Sequence, residues 1–308
     1  MDGLKAVILD WAGTTLDYGC MAPMVVFREV YAHKGVPISE KEARLPMGAH
    51  KRVHIQKIGQ IPEVKQRWLE VHGVEQTEKD IDEMFEAFQP LQLPYLVEYS
   101  PLIPGTLETI AYSRDKGMKI GSTTGYTGEM MDILMREGLK QGYIPDSSVT
   151  ATGHVTINDL RFPTPIYQDL GFKYSKSHIG IPEGRPGPWM CTLNAMLLNV
   201  YPPHLCVKVD DTIPGIEEGV NAGMWTIGLA KSGNEIGKPL EEVEKMDKLE
   251  LESKLDDVHI RMYKAGADFV VDTIADISPV LDEINYKLKR GQRPNHFLPD
   301  TYYFNLPP

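Results

Sequence analysis

The stretch KAVILDWAGTT, residues 5–15, decides how the chain folds. Val7, Ile8 and Leu9 form a continuous apolar run with no polar residue alternating through it, as expected of a strand covered on both faces in a parallel sheet. Asp10 then stands at the carboxyl end of that strand, the edge at which open α/β sheets bind their ligands. The Gly13-Thr14-Thr15 turn that follows can aim backbone N–H groups at an anion. Taken alone, such a stretch is more often a plain strand closed by a turn-forming Asp. The rest of the chain has to separate the two readings.

Working outward, the pattern changes to helix after Thr15 and stays helical to about Tyr99. Pro23 suits a first helical turn before MVVFREVYAHK, Gly35 ends that helix, and Ser39 with Glu42 forms a capping box for the next. Met47, Lys51 and His54 fall at spacings of four and three, so a helix there carries them on one face. Ile81, Met84, Phe85 and Phe88 mark the apolar stripe of a further helix. Alternation of helices and strands then returns at Pro104-Gly105 and runs to about residue 291, through the strands MKIGS, SVT, LCVKVD, WTIGLA and DFVVD. This predicts a doubly wound, mostly parallel α/β sheet formed by residues 1–19 and 100–291, with a helical subdomain, residues 20–99, inserted after the first strand. Residues 151–182 show turn formers and no clear period and read as a surface insertion. Residues 292–308 read as an extended tail whose Phe297, Tyr302, Tyr303 and Phe304 pack on something.

A length of 308 residues and 42% apolar content allow a sizeable core. The net charge of -11 argues against a nucleic-acid or anionic-membrane surface. Cys20, Cys191 and Cys206 are an odd number without CxxC spacing, which indicates neither a disulfide framework nor a zinc site. No apolar run approaches the roughly 18 residues of a bilayer span, and no targeting segment is evident, so a cytoplasmic location is the expectation.

Three strands end in oxygen-bearing residues, Asp10, Thr124 and Asp211, and a parallel sheet brings those ends to one crevice. Two carboxylates beside turn N–H groups suit a hard, hydrated ion such as Mg²⁺ better than zinc. Arg185, just before the Pro188 helix, adds a cation that can meet a phosphate.

In chain order, DWAGTT, GSTTGYT, GRPGPW and KVDDTIPG resemble the four motifs of the haloacid dehalogenase superfamily. The longer stretches DWAGTTLDYGCMAP, ARLPMGAHKRVHI, IGSTTGYT, GRPGPWMCTLNAM and EGVNAGMWTIGLAKSGNE resemble its phosphonatase family, over nearly all the chain to Lys289 outside 151–182. The resemblance implies an α/β core with an inserted helical cap, a homodimer joined through the caps, and Mg²⁺-dependent hydrolysis of the P–C bond of phosphonoacetaldehyde. It assigns Asp10 as nucleophile and Lys51 as the amine that forms a Schiff base. Asp10, the Ala12 carbonyl and Asp211 become the metal ligands, Thr124, Gly125 and Arg185 bind the phosphoryl oxygens, and Cys20, Met47, His54 and Tyr126 line the substrate pocket, with His54 matched to a proton relay.

The chemistry of the residues agrees. Phosphatases of the superfamily place a second Asp two residues after the nucleophile to protonate the leaving alcohol, and here that position is Ala12. A departing carbanion instead needs an electron sink, which an iminium between a Lys and a neighbouring aldehyde supplies. The amine must be neutral to attack, so its pKa must fall through desolvation or nearby cations, with Met47, Arg52 and His54 as the candidate causes. The chain departs from the family where many members read Gly-Asp-Thr with a further Asp four residues on. It has Asp210-Asp211-Thr212 and Gly215, with Asp210 the candidate replacement behind Asp211. The alternatives are a phosphatase or phosphomutase of the same superfamily acting on a small phosphate ester, and a non-catalytic phosphate-binding protein of the same fold. Ala12 and Lys51 disfavour the first; the nucleophile and amine together disfavour the second.

Overall fold

A computed structural model describes residues 3–157, 175–181 and 184–294. In chain order the elements are β1 (Ala6–Leu9), α1 (Met21–His33), α2 (Glu40–Arg44), α3 (Lys51–Gly59), α4 (Pro62–His72), α5 (Glu78–Glu98), α6 (Thr106–Asp115), β2 (Lys119–Thr124), α7 (Gly128–Lys140) and β3 (Ser147–Thr150). They continue with β4 (His154–Ile157), β5 (Ser175–His178), α8 (Trp189–Leu197), β6 (Cys206–Asp210), α9 (Ile213–Asn221), β7 (Trp225–Leu229), α10 (Leu240–Lys245), α11 (Lys248–Lys264), β8 (Phe269–Val271) and α12 (Ile277–Lys289).

The strands form one sheet in the order β5-β4-β3-β2-β1-β6-β7-β8, parallel from β3 to β8. Every residue of β1 is buried, as its unbroken apolar run requires. Register then fixes the site. Leu9 lies opposite Ser122 of β2 and Val209 of β6, so the next residue along each chain is Asp10, Thr123 or Asp210, side by side at the carboxyl edge.

Helices α1 to α5 follow β1 as the inserted cap. Their starts are set by local chemistry. Ser39 and Glu42 form the reciprocal capping box expected from the sequence, Thr77 and Asp80 form another, and Pro62 occupies the first turn of α4. The cap's buried side chains continue the apolar cluster of the sheet, and among them the Phe27 ring lies 4.5 Å from Phe88 and 3.7 Å from His54. Helix α5 runs through Pro90 and Pro94 without a break and packs on α7 of the core. Among the described residues no helix is long and apolar enough to cross a membrane.

The surface reading of 151–182 needs correction in its described parts. β4 pairs antiparallel with β3, and β5 with β4, extending the sheet at one edge. Val155 and Ile157 pack with Val149 and Met190 in a small apolar cluster. The reason is plain in hindsight: HVTI is only one short alternation set among turn formers, and its register comes from β3 rather than from its own length. Residues 158–174 and the tail aromatics from Phe297 onward lie outside the described residues.

Candidate active site

On the core side the site is a knot of buried charge. Arg185 Nη2 donates to Asp10 Oδ1 at 3.0 Å and to Thr123 Oγ1 at 2.9 Å, and Nε donates to Glu218 Oε2 at 2.9 Å. Nη2 also lies 3.2 Å from Asp210 Oδ2. Lys208 Nζ sits 2.9 Å from the same Asp210 oxygen and 3.6 Å from Glu218. Burial alone would lower the Arg185 pKa, but Asp10, Asp210 and Glu218 outweigh it and hold the guanidinium charged. Burial likewise pushes up Asp210, and the two cations reverse it, leaving that carboxylate ionised below its ordinary range.

Asp211, the next residue along, joins Asp10 and Asp210 in one buried cluster. It accepts from Thr14 Oγ1 at 2.9 Å, from Cys20 Sγ at 3.2 Å and from the Asn234 backbone N–H at 2.9 Å. The glycines around it leave no alternative. A Cβ at Gly13, where φ is +81°, would fall 2.3 Å from Asp211 Oδ2, and one at Gly233 would fall 2.1 Å from its Cβ. Burial, then the neighbouring Asp210 and Asp10, pushes Asp211 up to about 8, and burial also raises Asp10.

A divalent cation fits this donor set. Asp10, Asp210 and Asp211 each offer an oxygen within 4.8 Å of the others, all buried. Among the described residues four buried carboxyls, Asp10, Asp210, Asp211 and Glu218, gather around two ion-paired cations, Arg185 and Lys208, so carboxyls outnumber the cations that answer them. Carboxyls that burial drives toward protonation are those a hard cation would hold ionised.

The cap supplies the opposite wall. Lys51 is the first residue of α3, where the helix dipole disfavours a cation. It is only 4% exposed, and its Nζ lies 4.4 Å from the Tyr126 ring centroid and 5.7 Å from that of Phe27. Among the described residues Nζ has no carboxylate or carbonyl partner. Burial lowers its pKa to about 8, with Cys20 and Asp10 opposing the shift and Arg185 adding to it. The cause left open by the sequence is therefore mainly desolvation. Close packing delivers the loop 45–50 to this position. A Cβ at Gly125 would meet the Ala49 carbonyl at 2.8 Å, and one at Gly48, where φ is +89°, would meet Thr212 Oγ1 at 2.6 Å.

Between the walls lies a cavity of about 20 Å³, room for roughly one water. Asp10, Ala12, Cys20, Met47, Lys51, Thr124, Gly125, Tyr126 and Arg185 all line it. His54 and Asp211 do not. The His54 ring is fully buried, bonds through Nε2 to the Ala43 carbonyl at 2.8 Å, and stacks on Phe27 behind Lys51. Burial and the charge of Lys51 push it well below the usual histidine range, which keeps it neutral.

Sequence reasoning missed Thr123, Lys208, Glu218, Arg44 and Asp17. Lys208 left a readable signal, a lysine inside the apolar strand run LCVKVD. Asp17 caps α1 by accepting from the Met21 and Ala22 N–H groups, and burial moves it up to about 7. Glu218 left no signal, since one helical glutamate resembles any other.

The sequence profile of haloacid dehalogenase-like hydrolases matches residues 4–223. A phosphonoacetaldehyde hydrolase of Bacillus cytotoxicus is 42% identical over 91% of this chain and 96% of its own length. The crystal structure of a phosphonoacetaldehyde hydrolase-like protein from Oleispira antarctica superposes with a TM-score of 0.85 at 35% identity, covering 95% of this chain and 96% of that one. A β-phosphoglucomutase from Clostridium difficile shares the fold, with a TM-score of 0.59 at 17% identity over 93% of this chain and all of its own. The chain belongs to the haloacid dehalogenase-like hydrolases and, within them, to the phosphonoacetaldehyde hydrolase family.

Proposed function

We propose that the chain hydrolyses the P–C bond of phosphonoacetaldehyde, giving acetaldehyde and phosphate. The observation that carries this reading is the buried amine of Lys51, without a carboxylate or carbonyl partner among the described residues, in the same cavity as the Asp10 carboxylate. A phosphate-ester hydrolase needs an acid for its leaving group, and position 12 offers only Ala12.

Lys51, neutral in part near pH 8, adds to the aldehyde carbon and expels water to form an iminium. One Asp10 oxygen attacks phosphorus. The P–C electron pair moves into the iminium as an enamine, leaving the phosphoryl group on Asp10. Water hydrolyses that aspartyl phosphate, and protonation of the enamine carbon followed by hydrolysis returns acetaldehyde and the Lys51 amine. Arg185 shifts from Asp10 to the phosphoryl oxygens as substrate enters, joined by Thr124 Oγ1 and the backbone of Gly125. Cys20, Met47 and Tyr126 shape the pocket, and His54 backs the amine. Asp10, the Ala12 carbonyl and Asp211 would hold Mg²⁺, which would supply positive charge to stabilise the negative charge of phosphoryl transfer. Asp210 is assigned a place behind the ligands, where its pairs with Arg185 and Lys208 support that role.

The reading includes a core of residues 1–19 and 100–291 with a cap of 20–99, a cytoplasmic enzyme, and a homodimer through the caps. The exposed Val71, Val74 and Val97 on cap elements support the last point. Phosphate release from phosphonoacetaldehyde, assayed beside small phosphate esters with Mg²⁺ present, tests the function. Release from the phosphonate with little from the esters is expected; the opposite preference would overturn the reading.

A further inference from the structure

The amine rides on the cap and the nucleophile on the core, and the cavity between them is too small for the substrate unless the two first part. Arg44 crosses that boundary in a way the mechanism above does not use. It ends α2, immediately before the loop 45–50 that leads to Lys51. Its Nη1 donates to the Gly19 carbonyl at 2.7 Å, where the chain passes from core to cap, and its Nη2 donates to the Gly237 carbonyl of the core at 2.8 Å. The backbone is tied as well. The Arg44 carbonyl accepts from the Asn234 side-chain amide at 3.3 Å and from the Met47 N–H at 3.0 Å. Asn234 is the residue whose backbone N–H holds Asp211. The fit is close on the core side too: at Gly237, where φ is +65°, a Cβ would lie 2.7 Å from Arg44 Nε.

We propose that Arg44 is a positioning residue that latches the cap shut, tying the loop before Lys51 to the core loop that also holds Asp211, so that amine and nucleophile meet across one closed cavity. The inference rests on the P–C cleavage reading of the site. A guanidinium suits the task because its planar fork serves two carbonyls in different directions at once, which an ammonium on a flexible stem does less well. The latch stands where cap and core would separate. Arg44 lines a cleft of about 860 Å³ between α2 on one side and the loop 234–238 and α11 on the other.

Cysteine labelling reads closure without reference to activity. Cys20 is buried in the closed cavity, whereas Cys191 and Cys206 are buried in the core away from it. In the full chain, Arg44→Met should speed alkylation of Cys20 by iodoacetamide at least tenfold, followed by mass spectrometry, with Cys191 and Cys206 unchanged. It should also lower kcat/KM for phosphate release from phosphonoacetaldehyde at least tenfold. Arg44→Lys should fall between, and Gly237→Ala, which intrudes on the guanidinium, should mimic Arg44→Met without adding to it in the double variant. Unchanged Cys20 labelling overturns the latch, as does faster Cys20 labelling with kcat/KM within twofold of the parent. Equal acceleration at all three cysteines in Arg44→Met and Gly237→Ala makes the role structural and overturns it too. If the parent protein releases no phosphate from phosphonoacetaldehyde, the functional reading fails, while the labelling contrast still decides whether Arg44 closes the cap.

Discussion

The two walls of the cavity handle buried charge in opposite ways. On the core wall the cations are shared among carboxylates: Arg185 among Asp10, Asp210 and Glu218, and Lys208 between the last two. On the cap wall Lys51 faces aromatic rings and its charge has no carboxylate partner among the described residues. Pairing holds Asp210 and the guanidinium ionised, which suits a phosphoryl clamp, whereas burial raises Asp10 despite its bond to Arg185, so a bound cation is what would hold that carboxylate as an anion. Isolation destabilises the ammonium, which suits an amine that must attack a carbonyl. One site thus sets carboxyls and an amine of lowered pKa side by side, with charges around one wall and hydrocarbon around the other.

The strongest way to break the core wall is Asp10→Asn. The amide is nearly isosteric and keeps a hydrogen bond to Arg185, but it is no anionic nucleophile, so turnover should fall by about a thousandfold or more with the fold intact. Steady-state phosphate release with circular dichroism as the control decides it, and a near-native rate would remove Asp10 from the chemistry.

On the cap wall Lys51→Arg should cost nearly as much. Guanidinium stays protonated and forms no imine, so a retained charge brings no rescue. Borohydride added during turnover of the parent protein should leave a reduced adduct on Lys51 in a digest, and borohydride without substrate should leave none. An enzyme that releases phosphate yet shows no such adduct does not use the imine.

How much of this contrast could be read from the sequence follows the same divide. The place of Asp10 at the sheet edge, the parallel sheet and the cap insertion were legible because each rests on local pattern: the apolar run before Asp10, the capping box at Ser39, the 3.6-residue stripes of the cap. The partners that set charge were not, because Glu218, Lys208 and Thr123 come together only through strand register and the α9 crossing. The amine's low pKa was legible as a requirement but not as a cause, since Phe27 and Tyr126 are far from Lys51 along the chain. The β4 and β5 strands were lost for a related reason. Four residues of alternation carry little information until β3 supplies their register.

A smaller effect should sharpen the core wall internally. Asp210→Asn should weaken Mg²⁺ binding about 10- to 100-fold, as loss of a group that orients ligands does, and Asp211→Asn should weaken it more. A Mg²⁺ titration of activity separates them, and the reverse order would exchange their roles. Geometry adds a rescue. A Cβ at Gly215 would fall 2.0 Å from the Asp210 Cγ, so a side chain there occupies the volume that Asp210 now fills. The double variant Asp210→Gly with Gly215→Asp should therefore recover much of what Asp210→Gly loses. No recovery would mean that the carboxylate must come from β6.

The smallest effect tests whether the cap wall depresses the amine by burial alone. Trapping of acetaldehyde on Lys51 by borohydride needs the neutral amine, so its rate should rise with pH, reach half its plateau near pH 8, and level off above, where an ordinary lysine would still be climbing toward 10.4. The Tyr126 ring, 4.4 Å from Nζ, works against that depression, because its electron-rich face favours the ammonium form. Tyr126→Leu keeps the site apolar and removes the ring. The ammonium then loses about 0.5–1 kcal/mol of stabilisation. The half-plateau pH should move down, not up, by about half a unit. The sign is the informative part. A downward shift means that desolvation sets the low pKa and the ring moderates it. An upward shift would mean that the ring's bulk was excluding water, and that the cap wall works as a seal more than as a charge-free surface.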